Sequence, residues 1–417
     1  MIQILIVALL TMKTGLSVIA DVLNFKSHRY TDEVRAEFGE QYSQQQHEKA
    51  HSYLGENLKV QILSESLKWF LQVFAFCFGY FGWVDERIVS RGFTDSTLRG
   101  LLFFAVLGVV QWVISVPFSL YHTFSIETRY GFNKTTLKTW ITDQVKGALV
   151  GSLLGGLLLS VLFWLLERLG THAWVWAWSF LNVFQIVVLF VAPVLIFPLF
   201  YKFEPIPEGE LKEQMQAYAD RIGFGLKGVF QIDASKRSTK SNAFFSGFGR
   251  FRRFVMFDTL MSQYSVRELM AVFAHETGHF RSNHIIKMLF LSVATSFVLF
   301  FSLGQIYQNP KFFEAFGFRG ITPGAGLFIV SFIFGPISEL LSFATSALSR
   351  KFEYEADRFS VSTQNDPEAL MTALKKMSVD HLSHLTPHPL KVAIDYSHPP
   401  ILSRVRALKN QMRALNL

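Results

Sequence analysis

Hydrophobic residues occur along the chain in long runs that alternate with shorter polar segments. A helix needs about 20 mostly apolar residues to cross a bilayer, and seven runs reach or nearly reach that length. They lie at residues 2–23, 66–84, 100–121, 147–166, 173–201, 287–304 and 325–348. In the fifth run, Pro193 and Pro198 are expected to kink or end the helix. The pattern predicts an all-α multi-pass membrane protein with seven transmembrane helices.

Two long polar segments, one between the fifth and sixth apolar runs and one after the seventh, predict a small α+β domain. Three short stretches rich in aromatic and β-branched residues have the composition of strands: GVFQID (228–233), NAFFSGF (242–248) and RFVMF (253–257). A helix is expected after them, because Ser265 and Glu268 form a capping-box pattern just before an apolar-periodic run. The predicted order is a membrane domain with five helices at 1–203, a polar region with the predicted strands and helix at 204–286, two transmembrane helices at 287–348 and a C-terminal polar region at 349–417.

The composition supports a membrane protein and argues against a nucleic-acid partner. Half of the residues are hydrophobic, and the formal net charge is +8. Nucleic-acid-binding proteins cluster Lys and Arg on one face of a soluble fold, whereas here the basic residues lie between apolar runs. The single cysteine, Cys77, excludes an intrachain disulfide and a thiolate zinc site. We expect a monomer in contact with the lipid bilayer.

The distribution of basic residues predicts the orientation in the membrane. With the N-terminus outside, only six of the 40 Lys and Arg residues fall in outer loops: Arg87, Arg91, Arg99, Arg168, Lys311 and Arg319. Cytoplasmic loops are normally enriched in Lys and Arg, so we expect the N-terminus outside and the C-terminus in the cytoplasm. Both polar regions then lie on the cytoplasmic side. The expected location is a bacterial cytoplasmic membrane, or the endoplasmic reticulum membrane if the protein is eukaryotic.

The stretch HETGH (275–279) introduces a polar triplet into an otherwise apolar helix pattern. On a helix, His275 and His279 project from one face one turn apart, so both can offer a ring nitrogen to one ion, for which zinc is expected. Glu276 stands beside the first histidine, where its carboxylate can act as a general base without binding the metal. The alternative is a polar helix face with two unrelated histidines.

A catalytic zinc usually has three protein ligands, and the stretch KFEYEADRF (351–359) offers the third. It continues the seventh apolar run, so one long helix is expected to leave the membrane carrying Glu353 and Asp357 on one face. Glu353 is the candidate ligand, and Asp357 is placed to accept the second N–H of a liganding histidine. Glu355 falls on the other face and is interpreted as part of a solvated acidic helix end. The same interpretation remains an alternative for the whole segment.

HETGH followed by SRKFEYEAD, together with the predicted spans, resembles the type I CAAX prenyl endopeptidases, a family of integral-membrane zinc metalloproteases. Three further stretches resemble signatures of that family: ETRYGFNKTT (127–136), SNAFFSGF (241–248) and YSHPPILSRV (396–405). The resemblance implies a zincin-like catalytic domain with one Zn²⁺ per chain. It also implies that His275, His279 and Glu353 are the zinc ligands and that Glu276 is the general base.

The resemblance further implies how a substrate is bound. Asn242 would contact the backbone of a peptide that adds to an edge strand in extended form. His398 would contact the substrate or stabilise the developing oxyanion. Arg404 is a candidate substrate-binding residue that would orient this region or pair with an acidic group. The nearby His381, His384 and His388 are interpreted as a solvated loop.

The activity that these expectations imply is hydrolysis of a lipidated, CaaX-type C-terminal peptide with release of the terminal tripeptide. A membrane-protein quality-control protease with no prenyl requirement is the alternative within the same superfamily. Outside the enzymes, the alternatives are a transporter that binds zinc structurally and a membrane scaffold that has lost activity.

Overall fold

The computed structural model describes residues 1–247, 253–364 and 366–415 of the chain. The helices of its N-terminal half are α1 (Ile2–Ser27), α2 (Asp32–Phe38), α3 (Gln44–Cys77), α4 (Tyr80–Ser90), α5 (Ser96–Tyr121), α6 (Leu137–Arg168), α7 (Ala173–Val191) and α8 (Phe197–Phe200). Those of the C-terminal half are α9 (Glu210–Arg221), α10 (Asp258–Gln263), α11 (Val266–Arg281), α12 (His284–Ile306), α13 (Pro310–Ala315), α14 (Pro323–Gln364), α15 (Pro367–Asp380), α16 (Pro389–Asp395) and α17 (Ile401–Leu415).

Six helices in the described ranges are long and apolar enough to cross a membrane. A seventh candidate is the pair α3 and α4, which bends by 64° at a short break. In the fifth span a π-helical turn, Ala192–Ile196, separates α7 from α8, and Pro193 lies in that turn. Proline removes one helical hydrogen bond and clashes with the preceding turn, so a local widening of the helix is its expected effect. The all-α multi-pass class predicted from the sequence is confirmed.

An aromatic cluster packs α4 and α5 against the start of α14. The ring of Phe328, near the start of α14, lies 4.6 Å from Phe81, 5.2 Å from Phe103 and 5.9 Å from Phe316 between centroids. Glu353 lies on the same helix, 25 residues further on, which corresponds to about 37 Å at 1.5 Å per residue. The helix α14 therefore connects this cluster with the polar domain.

The polar domain contains a four-stranded sheet in the order β1-β2-β4-β3. The strands are β1 (Phe203–Pro205), β2 (Gly228–Ile232), β3 (Ala243–Ser246) and β4 (Arg253–Phe257). The pair β2 and β4 is parallel, and the two outer pairs are antiparallel. The three predicted strands are present, although Phe248 of the second stretch lies outside the described residues. The sequence pattern did not indicate β1, which has three residues and ends in a proline.

The helix α11, which carries HETGH, is the centre of this domain. Its predicted capping box is present between Ser265 and Glu268. One face packs on the sheet, where Phe273 is fully buried and its ring centroid lies 4.9 Å from Phe254. The opposite face crosses α14 so closely that a Cβ atom at Gly278 would lie 3.0 Å from the Cα atom of Ala356. The glycine of HETGH thus allows the two helices that carry the candidate ligands to approach each other.

The histidines at 381, 384 and 388 do not form a solvated loop, and that interpretation is wrong. His381 Nε2 accepts a hydrogen bond from the Ser241 N–H at 2.9 Å. His384 Nε2 lies 2.7 Å from the carbonyl oxygen of Asn24 at the end of α1, and the His388 N–H donates to Asn24 Oδ1 at 3.0 Å. These contacts join the C-terminal region to the first membrane helix and to the start of β3. Their partners are 140 to 364 residues away in sequence, so no local pattern indicated them.

Candidate active site

Three side chains from two helices converge where α11 crosses α14. The Nε2 atoms of His275 and His279 lie 3.2 Å apart. Glu353 places one carboxylate oxygen 3.5 Å from Nε2 of His275 and the other 3.2 Å from Nε2 of His279. Within the part of the chain that the structure describes, this is the one group of His, Cys, Asp and Glu side chains whose ligand atoms all lie within 4.8 Å of one another.

The donor set and its burial fit a metal ion. Glu353 is only 3 % exposed, and its Oε2 atom is buried and accepts no hydrogen bond, although Nη1 of Arg404 lies 3.2 Å from it. Leaving a buried acceptor unsatisfied costs about 1–3 kcal/mol, and more for a charged group. Two imidazole nitrogens and one carboxylate around a common point form a ligand set of catalytic zinc sites. A bound divalent cation would satisfy the carboxylate and both ring nitrogens together.

Asp357, itself paired with Arg404, contacts His275 at Nδ1, the ring nitrogen that faces away from the other two candidate ligands. Asp357 Oδ1 lies 2.9 Å from Nδ1 of His275, as the sequence predicted for the residue that orients a ligand. The guanidinium of Arg404 donates to both oxygens of Asp357, at 2.9 and 2.6 Å, and its Nη1 lies 3.2 Å from Glu353. Arg404 is 6 % exposed. Of the two roles expected for Arg404, the structure shows the pairing with acidic groups.

Burial and charge act in opposite directions on these groups. Burial opposes the charged form of Arg404, but Asp357 and Glu353 outweigh it and raise its pKa above the ordinary value. Burial also opposes protonation of His275, but hydrogen bonds to Asp357 and Glu353 raise its pKa overall. For Glu276, burial raises the pKa of the carboxyl, against the attraction of the two neighbouring histidines. A carboxylate with a raised pKa is the better proton acceptor near neutral pH.

His398 reaches the same point from the loop before α17. Its Nε2 lies 3.2 Å from Glu353, and its Nδ1 lies 2.9 Å from the hydroxyl of Ser397. The side chain of His398 is 64 % exposed, whereas that of Glu353 is 4 % exposed. His398 therefore borders the solvent-facing side of the three candidate ligands.

Asn242 lies at the start of β3, which is an edge of the sheet. The Phe257 N–H donates to the Asn242 carbonyl at 2.9 Å, so alternate residues Ala243 and Phe245 direct their backbone groups away from β4. The Asn242 side chain is exposed and its Oδ1 accepts from the outward Ala243 N–H at 2.9 Å. The ring of Phe245 lies 5.8 Å from Phe273 on α11. The outer edge of β3, which pairs with no further strand among the described residues, thus runs beside the helix that carries the histidines.

Two residues near the candidate site were not predicted to belong to it. His284 follows HETGH by five residues, and its Nδ1 lies 3.1 Å from Nδ1 of His279. Asn283 has a φ of 55°, a left-handed conformation that Asn adopts more readily than most residues, and this turn brings His284 back over α11. Glu355 lies 3.0 Å from Nε2 of His284, so its interpretation as a solvated helix end is wrong. The sequence signal that could have indicated His284 was a third histidine only five residues after the motif.

Comparisons with known proteins place nearly the whole chain beside a family of membrane peptidases. Residues 24–202 match a family model for the N-terminal, five-helix membrane domain of CAAX prenyl proteases. Residues 205–412 match the model for peptidase family M48. A CAAX prenyl protease 1 homolog of Arabidopsis thaliana is 33 % identical over 378 residues, which cover 88 % of each chain. CAAX prenyl protease 1 of Saccharomyces cerevisiae is 35 % identical over 331 residues, 75 % of this chain and 73 % of the relative. The crystal structure of S. mikatae Ste24p superimposes with a TM-score of 0.91 at 28 % identity, covering 97 % of this chain and 98 % of that one.

Proposed function

The chain belongs to the M48 family of metallopeptidases, within its CAAX prenyl protease 1 branch. From this we propose that it removes the terminal tripeptide from prenylated CaaX-type peptides. It is a multi-pass membrane metalloprotease. The observation that carries the proposal is the convergence of two histidines and a glutamate beside β3, the edge strand of the described sheet. A general quality-control protease would use the same chemistry, so the requirement for a prenyl group separates the two activities.

In this proposal His275, His279 and Glu353 hold one zinc ion. Zinc, when bound, supplies a Lewis acid that polarises the scissile carbonyl and lowers the pKa of water. Glu276 accepts the proton of the attacking water and passes it to the leaving amine. Asp357 holds the Nδ1–H of His275, which fixes the ring with Nε2 toward the other two ligands.

We place the substrate peptide along the outer edge of β3. The outward carbonyl of Ala243 and the outward N–H and carbonyl of Phe245 would pair with an extended peptide. Asn242, whose Oδ1 accepts from the Ala243 N–H, would contact the peptide backbone at one end. Main-chain pairing tolerates varied side chains, which suits the variable last residues of a CaaX sequence. His398 would donate to the carbonyl oxygen of the scissile bond as negative charge develops there. The position of His398, 3.2 Å from Glu353 and largely exposed, supports this assignment.

We further propose that the polar domain faces the cytoplasm, with the N-terminus outside. Support comes from the distribution of the basic residues, because only six of the 40 Lys and Arg residues lie in the outer connections between the spans predicted from the sequence. Single cysteines introduced into the 202–286 and 308–322 segments of a Cys77→Ala background would test it. With the protein expressed in the cytoplasmic membrane of a bacterial host, a membrane-impermeant maleimide applied to intact cells should label the second segment and leave the first unlabelled until the cells are lysed.

The function is tested by cleavage of a farnesylated CaaX peptide with the detergent-purified protein. The same peptide without the farnesyl group measures the prenyl requirement, and Glu276→Gln is the matched inactive control because it keeps the shape of the side chain. We expect cleavage of the farnesylated peptide alone and none by the variant. Equal cleavage of both peptides would replace the proposal with a general membrane protease, and cleavage that persists in the variant would remove Glu276 from its role.

A further inference from the structure

His284 is a buried histidine with a separate partner on each ring nitrogen. It is 3 % exposed and stacks on Phe352, with ring centroids 4.1 Å apart and planes inclined by 9°. Its Nδ1 lies 3.1 Å from Nδ1 of His279, and its Nε2 lies 3.0 Å from a carboxylate oxygen of Glu355. The side chain is therefore fixed both by packing and by polar contacts.

The positions of the protons follow from these contacts, given the ligand role of His279 proposed above. A histidine that binds a metal through Nε2 carries its proton on Nδ1. Two nitrogens at 3.1 Å share one proton, so the Nδ1–H of His279 donates and Nδ1 of His284 accepts. His284 then carries its own proton on Nε2 and donates it to Glu355. A cationic His284 would bring two N–H groups face to face, so the ring is neutral in this arrangement.

We propose that His284, oriented by Glu355, is the positioning residue of the second zinc ligand, as Asp357 is of the first. The two ligand histidines are thereby supported in different ways. His275 donates directly to a buried carboxylate, whereas His279 donates to an imidazole whose far side donates to a partly exposed carboxylate. Removal of such a hydrogen-bond partner typically lowers metal affinity by about 10–100-fold.

The proposal predicts different effects for two substitutions at His284. His284→Phe keeps the stacking on Phe352 but removes the acceptor for His279, and we expect the zinc dissociation constant to rise by about 10–100-fold. His284→Asn places an amide oxygen near the position of Nδ1 and should recover most of the affinity. The constant is measured by competition with a chromophoric chelator on the full chain in detergent, and the melting temperature of the zinc-free protein is recorded in parallel.

His384→Phe is the matched control, because His384 is a half-buried histidine whose Nε2 contacts the Asn24 carbonyl and whose charged or polar neighbours include His47 and His51 rather than the proposed zinc ligands. Its zinc affinity should equal that of the unsubstituted protein. If His284→Phe does not fold, Glu355→Ala gives the second test, with a smaller loss of affinity in the same direction. An unchanged zinc affinity in His284→Phe or Glu355→Ala, or a loss that His284→Asn does not reverse, would overturn the proposal. Failure of the proposed ligand set is distinguishable, since His279→Ala would then retain zinc.

Discussion

Arg404 provides the most direct test of how the site is held together. Asp357 and Glu353 are 2 % and 3 % exposed, and Arg404 is the cation that contacts both. Arg404→Met keeps much of the side-chain volume and removes the guanidinium that pairs with both buried carboxylates, while His275 stays beside them, 2.9 Å from Asp357 and 3.5 Å from Glu353. Breaking a buried ion pair by removing one partner costs about 3–5 kcal/mol. For a domain of about 200 residues, 1 kcal/mol shifts the melting temperature by roughly 2–4 °C, so the expected fall is about 6–20 °C.

The chain contains a matched control with the same geometry and a different exposure. Arg267 donates to both oxygens of Asp366, at 2.6 and 2.7 Å, but its side chain is 58 % exposed whereas that of Arg404 is 7 % exposed. Exposed pairs contribute little because water and salt screen them, so Arg267→Met should leave the melting temperature nearly unchanged.

The measurement is thermal unfolding in detergent after removal of metal, since a bound cation would partly compensate the two carboxylates. Arg404→Lys serves as a second comparison, because lysine keeps the charge but loses the bidentate contact, and it should fall between the other two. Equal melting temperatures for Arg404→Met and Arg267→Met would refute the argument that burial determines how much this ion pair contributes to stability.

Three further predictions follow from the geometry. Asp357→Asn should weaken zinc binding by about 10–100-fold, because the amide no longer offers His275 a charged acceptor; unchanged affinity in chelator competition would contradict it. Asn242→Ala should lower kcat/KM for a peptide substrate by about tenfold, the equivalent of one hydrogen bond, with an unchanged melting temperature. Burial lowers the pKa of His28 to about 3 and that of His384 to about 4. The unfolded chain therefore binds more protons below pH 6.5, so stability should fall as the pH is lowered from 6.5 toward 4, and less steeply in His384→Gln. Identical slopes of melting temperature against pH would exclude that contribution.

Several features of the fold and site were predictable because they depend on local sequence. The spans appear as uninterrupted apolar runs, since lipid exposure demands such a run in every helix that crosses the bilayer. The helical repeat places His275 and His279 on one face, and the capping box marks where that helix begins. The same repeat carries α14 out of the membrane with Glu353 and Asp357 aligned, and the structure has this helix unbroken from Pro323 to Gln364.

Other features depend on contacts between distant segments, and only the tertiary structure decided them. The sequence did not indicate that Glu355 would face His284, because its position relative to α12 depends on how the helices cross. The burial of Arg404 depends in the same way on the docking of α17 against α14. The three histidines after residue 380 looked solvated because their partners lie in α1 and at the start of β3. Periodicity fixes which face of a helix a side chain occupies, whereas long-range packing determines which residues that face contacts.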